Sequence, residues 1–279
     1  MHMKNIDKII LRSFDEDMPN GDITTEYTVP KGTAAEGRFI TKESGVLCGT
    51  EIAKRVFELA GGNVELTFFY QDGDIINKGD KIADISGDAH TILSGERTAL
   101  NLMQRASGIA TAARKAAECV KGTRARITDT RKTMPLLRVI DKYAVTVGGA
   151  VNHRYSLSDG ILIKDNHIAA AGEIKNAVKA AKEHAPHTLK VEVETEDLSQ
   201  VKEALDAGAD IIMLDNMTNE QMTEAVKLIN GKALTEASGN MGEKDLLSVA
   251  KTGVDLISIG ALTHSVKALD ISLKLKLKI

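Results

Sequence analysis

The strongest constraint in this sequence is a rhythm. Short apolar runs begin near Arg126, Ile161, Leu189, Ile211, Ala233 and Leu256, with helical patterns filling the gaps. From Leu189 onward the spacing settles at roughly 22 residues, the pitch of successive strand–helix units. The runs are apolar at nearly every position, as parallel strands covered on both faces must be. Helices fit residues 172–184, 197–207, 219–230 and 243–251. These units, with room for one more, predict an α/β fold built on an incomplete (β/α) barrel of about six to seven strands. An open doubly wound sheet shares the periodicity and stays as the alternative.

The residues before this region follow no such rhythm. Ile6, Ile9, Ile10 and Phe14 recur at helical spacing and predict a helix that stops before Asp15. Gly21-Asp22-Ile23-Thr24 reads as a loop-to-strand junction. Residues 34–47 hold a strand or two, and 51–59 form a helix closed by Gly61-Gly62. Short strands follow at 64–70, 74–76 and 81–85, split by turns at Asp72-Gly73 and Lys78-Gly79-Asp80. Ser94 reads as the N-cap of a long helix with Ala110, Ala113, Ala116 and Ala117 on one face and a kink at Ser107-Gly108. The first module ends inside that helix, near residues 105–115. The tail from Ile271 to Ile279 alternates aliphatic residues with lysine, the pattern of a half-buried edge strand, and suits the sheet of the first module.

Composition removes several functions. Aromatic residues are 3% of the chain, with no Trp, so platforms for stacking nucleic-acid bases are hard to build. The formal net charge of −3 argues against a general polyanion binder. Cys48 and Cys119 lie far apart without CxxC spacing, which predicts a reducing compartment and neither a disulfide nor a zinc site. No apolar run suits a signal peptide, and none of about 18 residues suits a membrane span, so the cytoplasm is expected.

The chemistry should sit where the strands end. In a parallel barrel the C-terminal ends of the strands carry function. Those ends read Asp129-Thr130-Arg131-Lys132, Lys164-Asp165-Asn166-His167, Glu192 and Glu194, Leu214-Asp215-Asn216, Glu236-Ala237-Ser238-Gly239-Asn240, and Ser258-Ile259-Gly260-Ala261. Arg131, Lys132, His153, Arg154, Lys164 and His167 can all carry positive charge within one stretch. Any one of them alone is more often a surface charge. Clusters tied to strand ends and glycine turns point instead to an anion site. Ser and Gly loops expose backbone N–H groups to phosphate, and Glu194 with Asp215 suits Mg²⁺ or ribose hydroxyls. Lys164 alternatively suits a Schiff base, but the surrounding cations favour anion binding. A non-catalytic, oligomeric binder of phosphorylated ligands is the reading from another class. His90, His184, His187 and His264 show no metal-ligand spacing.

At these residues the sequence resembles the quinolinate phosphoribosyltransferase family, also called nicotinate-nucleotide pyrophosphorylase (carboxylating). The resemblance runs nearly end to end. It is carried by Gly21-Asp22-Ile23-Thr24, Ser94-Gly95-Glu96-Arg97-Thr98, Asp129-Thr130-Arg131-Lys132-Thr133, Asn152-His153-Arg154, Lys164-Asp165-Asn166-His167, Leu214-Asp215-Asn216 and Gly260-Ala261-Leu262-Thr263. It implies an N-terminal α/β sandwich over 1–110, to which 270–279 returns, and an incomplete α/β barrel over 111–269 carrying the active site. It also implies a homodimer or larger assembly. The implied reaction joins quinolinate to phosphoribosyl pyrophosphate, releasing CO₂ and pyrophosphate to give nicotinate mononucleotide for NAD biosynthesis.

By motif match, Thr130, Arg131, Lys132, His153, Arg154 and Lys164 would hold the quinolinate carboxylates, with Arg97 arriving from the partner subunit. Glu194 and Asp215 would face the ribose and Mg²⁺, directly or through water. Ser238, Gly239, Asn240, Gly260 and Ala261 would hold phosphate. Lys132, Glu194 and Asp215 are the implied catalytic residues. Met134, Leu136, Ala150 and Asn240 depart from the family pattern, the last three where glycine is usual. None removes a charge, so they bear on loop geometry and substrate choice. A related protein found beside molybdate-transport genes, acting on another carboxylate, is the competing reading.

Overall fold

The computed structural model describes residues 3–278. Its strands, in chain order, are β1 (Ala34–Thr41), β2 (Gly45–Val46), β3 (Val64–Phe68), β4 (Ile75–Ile76), β5 (Lys81–Asp88), β6 (Arg126–Thr128), β7 (Ile161–Ile163), β8 (Val191–Thr195), β9 (Ile211–Asp215), β10 (Leu234–Ser238), β11 (Leu256–Ser258) and β12 (Ile271–Lys278). The chain divides into two compact units. One comprises Met1–Arg114, Met134–Gly149 and Val266–Ile279; the other comprises Lys115–Thr133 and Ala150–Ser265.

The first unit is built on an antiparallel sheet in the order β12-β1-β5-β3. The C-terminal strand β12 lies at its edge, paired with β1 from Ala34↔Lys278 to Thr41↔Ile271. Phe39 of β1 meets Phe57 edge-on with ring centroids 6.4 Å apart, and Ile52, Val56, Ile82 and Ile92 complete a core fully closed to water. The helix Met3–Asp17 runs past Asp15, where the turn-rich sequence had suggested a stop. The junction at Gly21-Asp22 leads into a helix, Ile23–Thr28, not a strand. Asp22 caps it, accepting hydrogen bonds from the Thr25 N–H at 3.1 Å and the Thr25 hydroxyl at 2.5 Å.

The long helix is Ala89–Cys119, so it starts five residues before Ser94. Asp88 holds its first turn by accepting from the Thr91 N–H at 2.8 Å, and Ser94 lies inside it. It runs unbroken through Ser107-Gly108. Gly108 is needed there for close approach: a Cβ would stand 2.3 Å from the Lys267 carbonyl oxygen.

Residues 134–149 belong to this first unit, a correction to their expected place in the barrel. The helix Arg138–Val147 is anchored from three sides. Asp141, fully buried, takes both prongs of the Arg105 guanidinium at 2.8 Å. The Tyr143 hydroxyl donates to Asp72 at 2.8 Å, and Arg114 Nε donates to the Gly148 carbonyl at 3.1 Å. Leu136, at φ +67°, occupies the left-handed region that glycine fills without strain, and its side chain is 85% exposed.

The second unit is a parallel sheet in the order β6-β11-β10-β9-β8-β7. Strand order rises by one at each step from β7 to β11 and then returns to β6. A doubly wound sheet needs a reversal of strand order, and none occurs. Among the described residues no ladder joins β6 to β7, so the barrel is incomplete, with six strands and a single bridge from Thr128 to Val151. Ile127, Ile163, Val193, Ile212, Ala237 and Ile257 are buried on one side of the alternation. The residues between them face the barrel interior and supply the site. Covering helices include Ile174–His184, Leu198–Asp206 and Asn219–Ile229. The Leu198–Asp206 helix is capped by Asp197, and Asn219–Ile229 by a reciprocal Thr218–Gln221 box.

Candidate active site

A pocket of about 370 Å³ opens at the C-terminal ends of these strands. Thr130, Arg131 and Lys132 reach it from the loop after β6, and His153 and Arg154 from the loop before β7. Lys164 follows β7, while Glu194, Asp215, Ser238 and Ser258 come from β8 to β11. The basic side chains therefore come from the segments around β6 and β7, and the carboxylates Glu194 and Asp215 from β8 and β9.

Local geometry fixes each of them. The Lys132 carbonyl accepts from the Thr263 hydroxyl at 2.9 Å, which pins the Arg131-Lys132 loop. Gly260 leaves room for the Lys132 stem, since a Cβ there would lie 3.0 Å from Lys132 Cδ. Arg154 donates through Nη1 to the Gly160 carbonyl at 2.8 Å. Desolvation and the nearby positive charge of Arg131 both pull the Arg154 pKa down. Two guanidinium groups held this way repel until an anion arrives between them. Lys164 Nζ donates to Glu194 Oε2 at 2.5 Å, an ion pair that ties the amine to β8. Asp215 Oδ2 accepts from the Asn216 amide at 2.7 Å.

Other expected residues lie beside the pocket or apart from it. Gly239 and Asn240 turn away from the end of β10 at φ +93° and +52°, and a Cβ on Gly239 would meet Asn216 Oδ1 at 2.3 Å. The following helix starts at Leu246, not near Glu243, because Asp245 is its cap, accepting from the Leu247 N–H at 3.1 Å. The Ser238 loop therefore does not feed directly into a helix N-terminus. Gly260 and Ala261 open a single turn of helix, Ala261–His264. Arg97 is an exposed residue of the Ala89–Cys119 helix in the first unit. His167 accepts from the Lys164 N–H at 3.1 Å and serves its own short helix.

Two strand-end carboxylates to which sequence reasoning assigned no role share the interior. Glu192 and Glu236 are 4% and 1% exposed and lie beside His153. Their signal was available, since they sit two positions before Glu194 and Ser238 on the same face. Burial, reinforced by the charge of Glu192, pushes the Glu236 pKa up to about 8, against an ordinary 4.5. Between those pH values the folded chain holds a proton that the unfolded chain has released. The stability from this group is complete below pH 4.5 and is lost as pH rises through 8. Glu236→Gln is expected to flatten that decline. Its thermal midpoint relative to wild type should rise from pH 5 to pH 8, which calorimetry at about three pH values can check.

Fold and pocket together define a barrel protein that gathers anions at its strand ends. The chain matches the quinolinate phosphoribosyl transferase N-terminal domain over residues 22–107 and the C-terminal domain over residues 109–274. It belongs to the quinolinate phosphoribosyltransferase family. A Bacillus subtilis protein named probable nicotinate-nucleotide pyrophosphorylase [carboxylating] is 44% identical over 277 residues, covering 99% of this chain and 96% of its own. One of the same name from Methanocaldococcus jannaschii is 44% identical over 275 residues, covering 95% of each. The solved nicotinate-nucleotide pyrophosphorylase from Francisella tularensis superposes with a TM-score of 0.93 at 38% identity, covering 99% of this chain and 98% of that one.

Proposed function

We infer that this protein transfers the phosphoribosyl group of phosphoribosyl pyrophosphate to quinolinate, with decarboxylation, giving nicotinate mononucleotide in NAD biosynthesis. The observation that carries the reading is the single pocket in which Arg131, Lys132, His153, Arg154 and Lys164 oppose Glu194 and Asp215. The names of the relatives favour it over the molybdate-context alternative.

Quinolinate carries two carboxylates and needs several fixed donors. The forks of Arg131 and Arg154 give bidentate geometry, with Lys132 and Lys164 as point charges beside them. The pyridine nitrogen attacks C1 of the sugar as the bond to pyrophosphate breaks, and positive charge builds at C1. Glu194 and Asp215 lie where such charge is stabilised. The positive charge of the new pyridinium nitrogen then stabilises the electron pair left on the adjacent ring carbon when its carboxylate departs as CO₂, and that carbon takes up a proton. Backbone N–H groups of Ser238, Gly239 and Asn240, and of Gly260 and Ala261, suit phosphate oxygens.

Glu194 and Asp215 are hard oxygen donors, and two carboxylates completed by substrate oxygens and water are a usual Mg²⁺ environment. Lys164 holds Glu194 Oε2 and the Asn216 amide holds Asp215 Oδ2, so each carboxylate would offer its other oxygen. Bound Mg²⁺ would supply charge for the departing pyrophosphate. The free thiols of Cys48 and Cys119 suit a cytoplasmic setting, and no described helix is long and apolar enough to cross a membrane.

The active assembly is a homodimer or larger, with the exposed Arg97 completing the neighbouring subunit's pocket. Arg97→Ala and Lys132→Ala should each abolish turnover alone. Mixing the two in one assembly should restore activity, because some sites then receive both native residues. No recovery in verified hybrids would place Arg97 within its own chain.

A further inference from the structure

His153 lines the pocket, yet its ring is answered from inside the protein. The Arg154 backbone N–H, which can only donate, lies 2.8 Å from His153 Nδ1. Nδ1 is therefore a lone-pair acceptor, and the ring proton is on Nε2. Nε2 faces Glu192 Oε2 at 3.1 Å and Glu236 Oε1 at 3.6 Å. These carboxylates come from β8 and β10, and among the described residues Glu192 Oε1 and Glu236 Oε1 have no hydrogen-bond partner. The other charged groups facing the ring are Asp129, which accepts the His153 N–H at 2.8 Å, and Arg131 and Arg154.

We propose that Glu192 and Glu236 are positioning residues of the dicarboxylate pocket, fixing His153 as a neutral imidazole protonated at Nε2 so that its Nδ1 sets the backbone, and hence the guanidinium, of Arg154. The chain of contacts is continuous. Glu192 Oε2 takes Nε2–H at 3.1 Å with Glu236 packed behind it at 3.6 Å, Nδ1 takes the Arg154 N–H, and Arg154 Nη1 is held by Gly160. His153 is then not one of the pocket's cations. The substrate carboxylates are met by Arg131, Lys132, Arg154 and Lys164, while the Glu192 carboxylate beneath them partly offsets the repulsion that Arg131 exerts on Arg154.

The same side chains also line the far side of the floor. His153, Arg154 and Glu236 border both the active-site pocket and a second cavity of about 500 Å³, at the end of the barrel where the strands begin. The cluster thus separates the two spaces. A floor that loosens would let water reach the arginines from below and weaken their hold on a dicarboxylate.

The proposal rests on the dicarboxylate reading of the pocket, and one part of its test is independent of that reading. In ¹⁵N-histidine-labelled protein, with the His153 signals assigned by their loss in His153→Asn, Nε2 should be protonated and Nδ1 bare at neutral pH. A ring protonated at both nitrogens, the Nδ1–H tautomer, or a stoichiometric divalent metal retained at this cluster would overturn the proposal.

The second part is kinetic. Glu192→Leu should raise the quinolinate KM about tenfold, leaving the phosphoribosyl pyrophosphate KM within about threefold of wild type. Glu192→Gln, which still accepts from Nε2–H, should recover most of that loss and covers the case in which the leucine variant fails to fold. An equal rise in both KM values, or no recovery by glutamine, would leave Glu192 a merely structural residue. An inactive wild-type enzyme showing the expected tautomer would instead defeat the functional reading alone.

Discussion

Arg131→Ala is expected to lower kcat/KM for quinolinate by about 2–5 kcal/mol, roughly 30-fold to several thousandfold. Arg131 is half-buried at the end of β6 and lines the pocket beside Arg154. Alanine removes a rigid fork from a partly desolvated site and leaves a substrate carboxylate without its paired donors. Arg131→Lys should recover only part of the loss, because an ammonium restores charge without bidentate geometry. Steady-state kinetics in quinolinate decides it. An unchanged kcat/KM in the alanine variant would remove Arg131 from the site.

The largest effect on stability is expected at Arg105. Its guanidinium holds the fully buried Asp141 through two hydrogen bonds of 2.8 Å, and the pair ties residues 134–149 into the first unit. Arg105→Leu leaves a buried carboxylate with, among the described residues, only the Met134 N–H at 3.2 Å donating to it. Removing one partner of such a pair costs about 3–5 kcal/mol, read as a shift in the urea unfolding midpoint. Arg105→Leu with Asp141→Leu should recover most of it, since the penalty comes from the stranded charge. A single variant as stable as wild type would show that Asp141 is not desolvated as described.

The barrel was the most legible part of the chain. One face of every strand is aliphatic, and β7 and β9 are almost wholly so, and β8 to β11 begin within about two residues of the positions read from sequence. The first unit was harder because its elements begin on side-chain caps. Asp22 and Asp88 each accept from a backbone N–H three residues on, and both were passed over in favour of turns or of Ser94. The placement of residues 134–149 depends on Arg105 meeting Asp141, a contact between distant residues that no local pattern records.

The site divides in the same way. Its cations and exposed carboxylates follow strand ends and were readable by position. Glu192 and Glu236 were readable as strand-end carboxylates but not in their role, because an acidic residue is normally read as solvated, and only the fold reveals that these two are enclosed with His153. The substituted glycine positions also split. Asn240 takes φ +52°, a conformation asparagine tolerates, whereas Leu136 at φ +67° carries real backbone strain.

The most direct measurement is product formation from phosphoribosyl pyrophosphate and Mg²⁺ with quinolinate, nicotinate or nicotinamide in parallel. A pocket built around paired cations predicts nicotinate mononucleotide and CO₂ from quinolinate, with far slower turnover of the two substrates that lack its second carboxylate. Folded protein that yields no nicotinate mononucleotide at saturating quinolinate, or that prefers nicotinate, would contradict it.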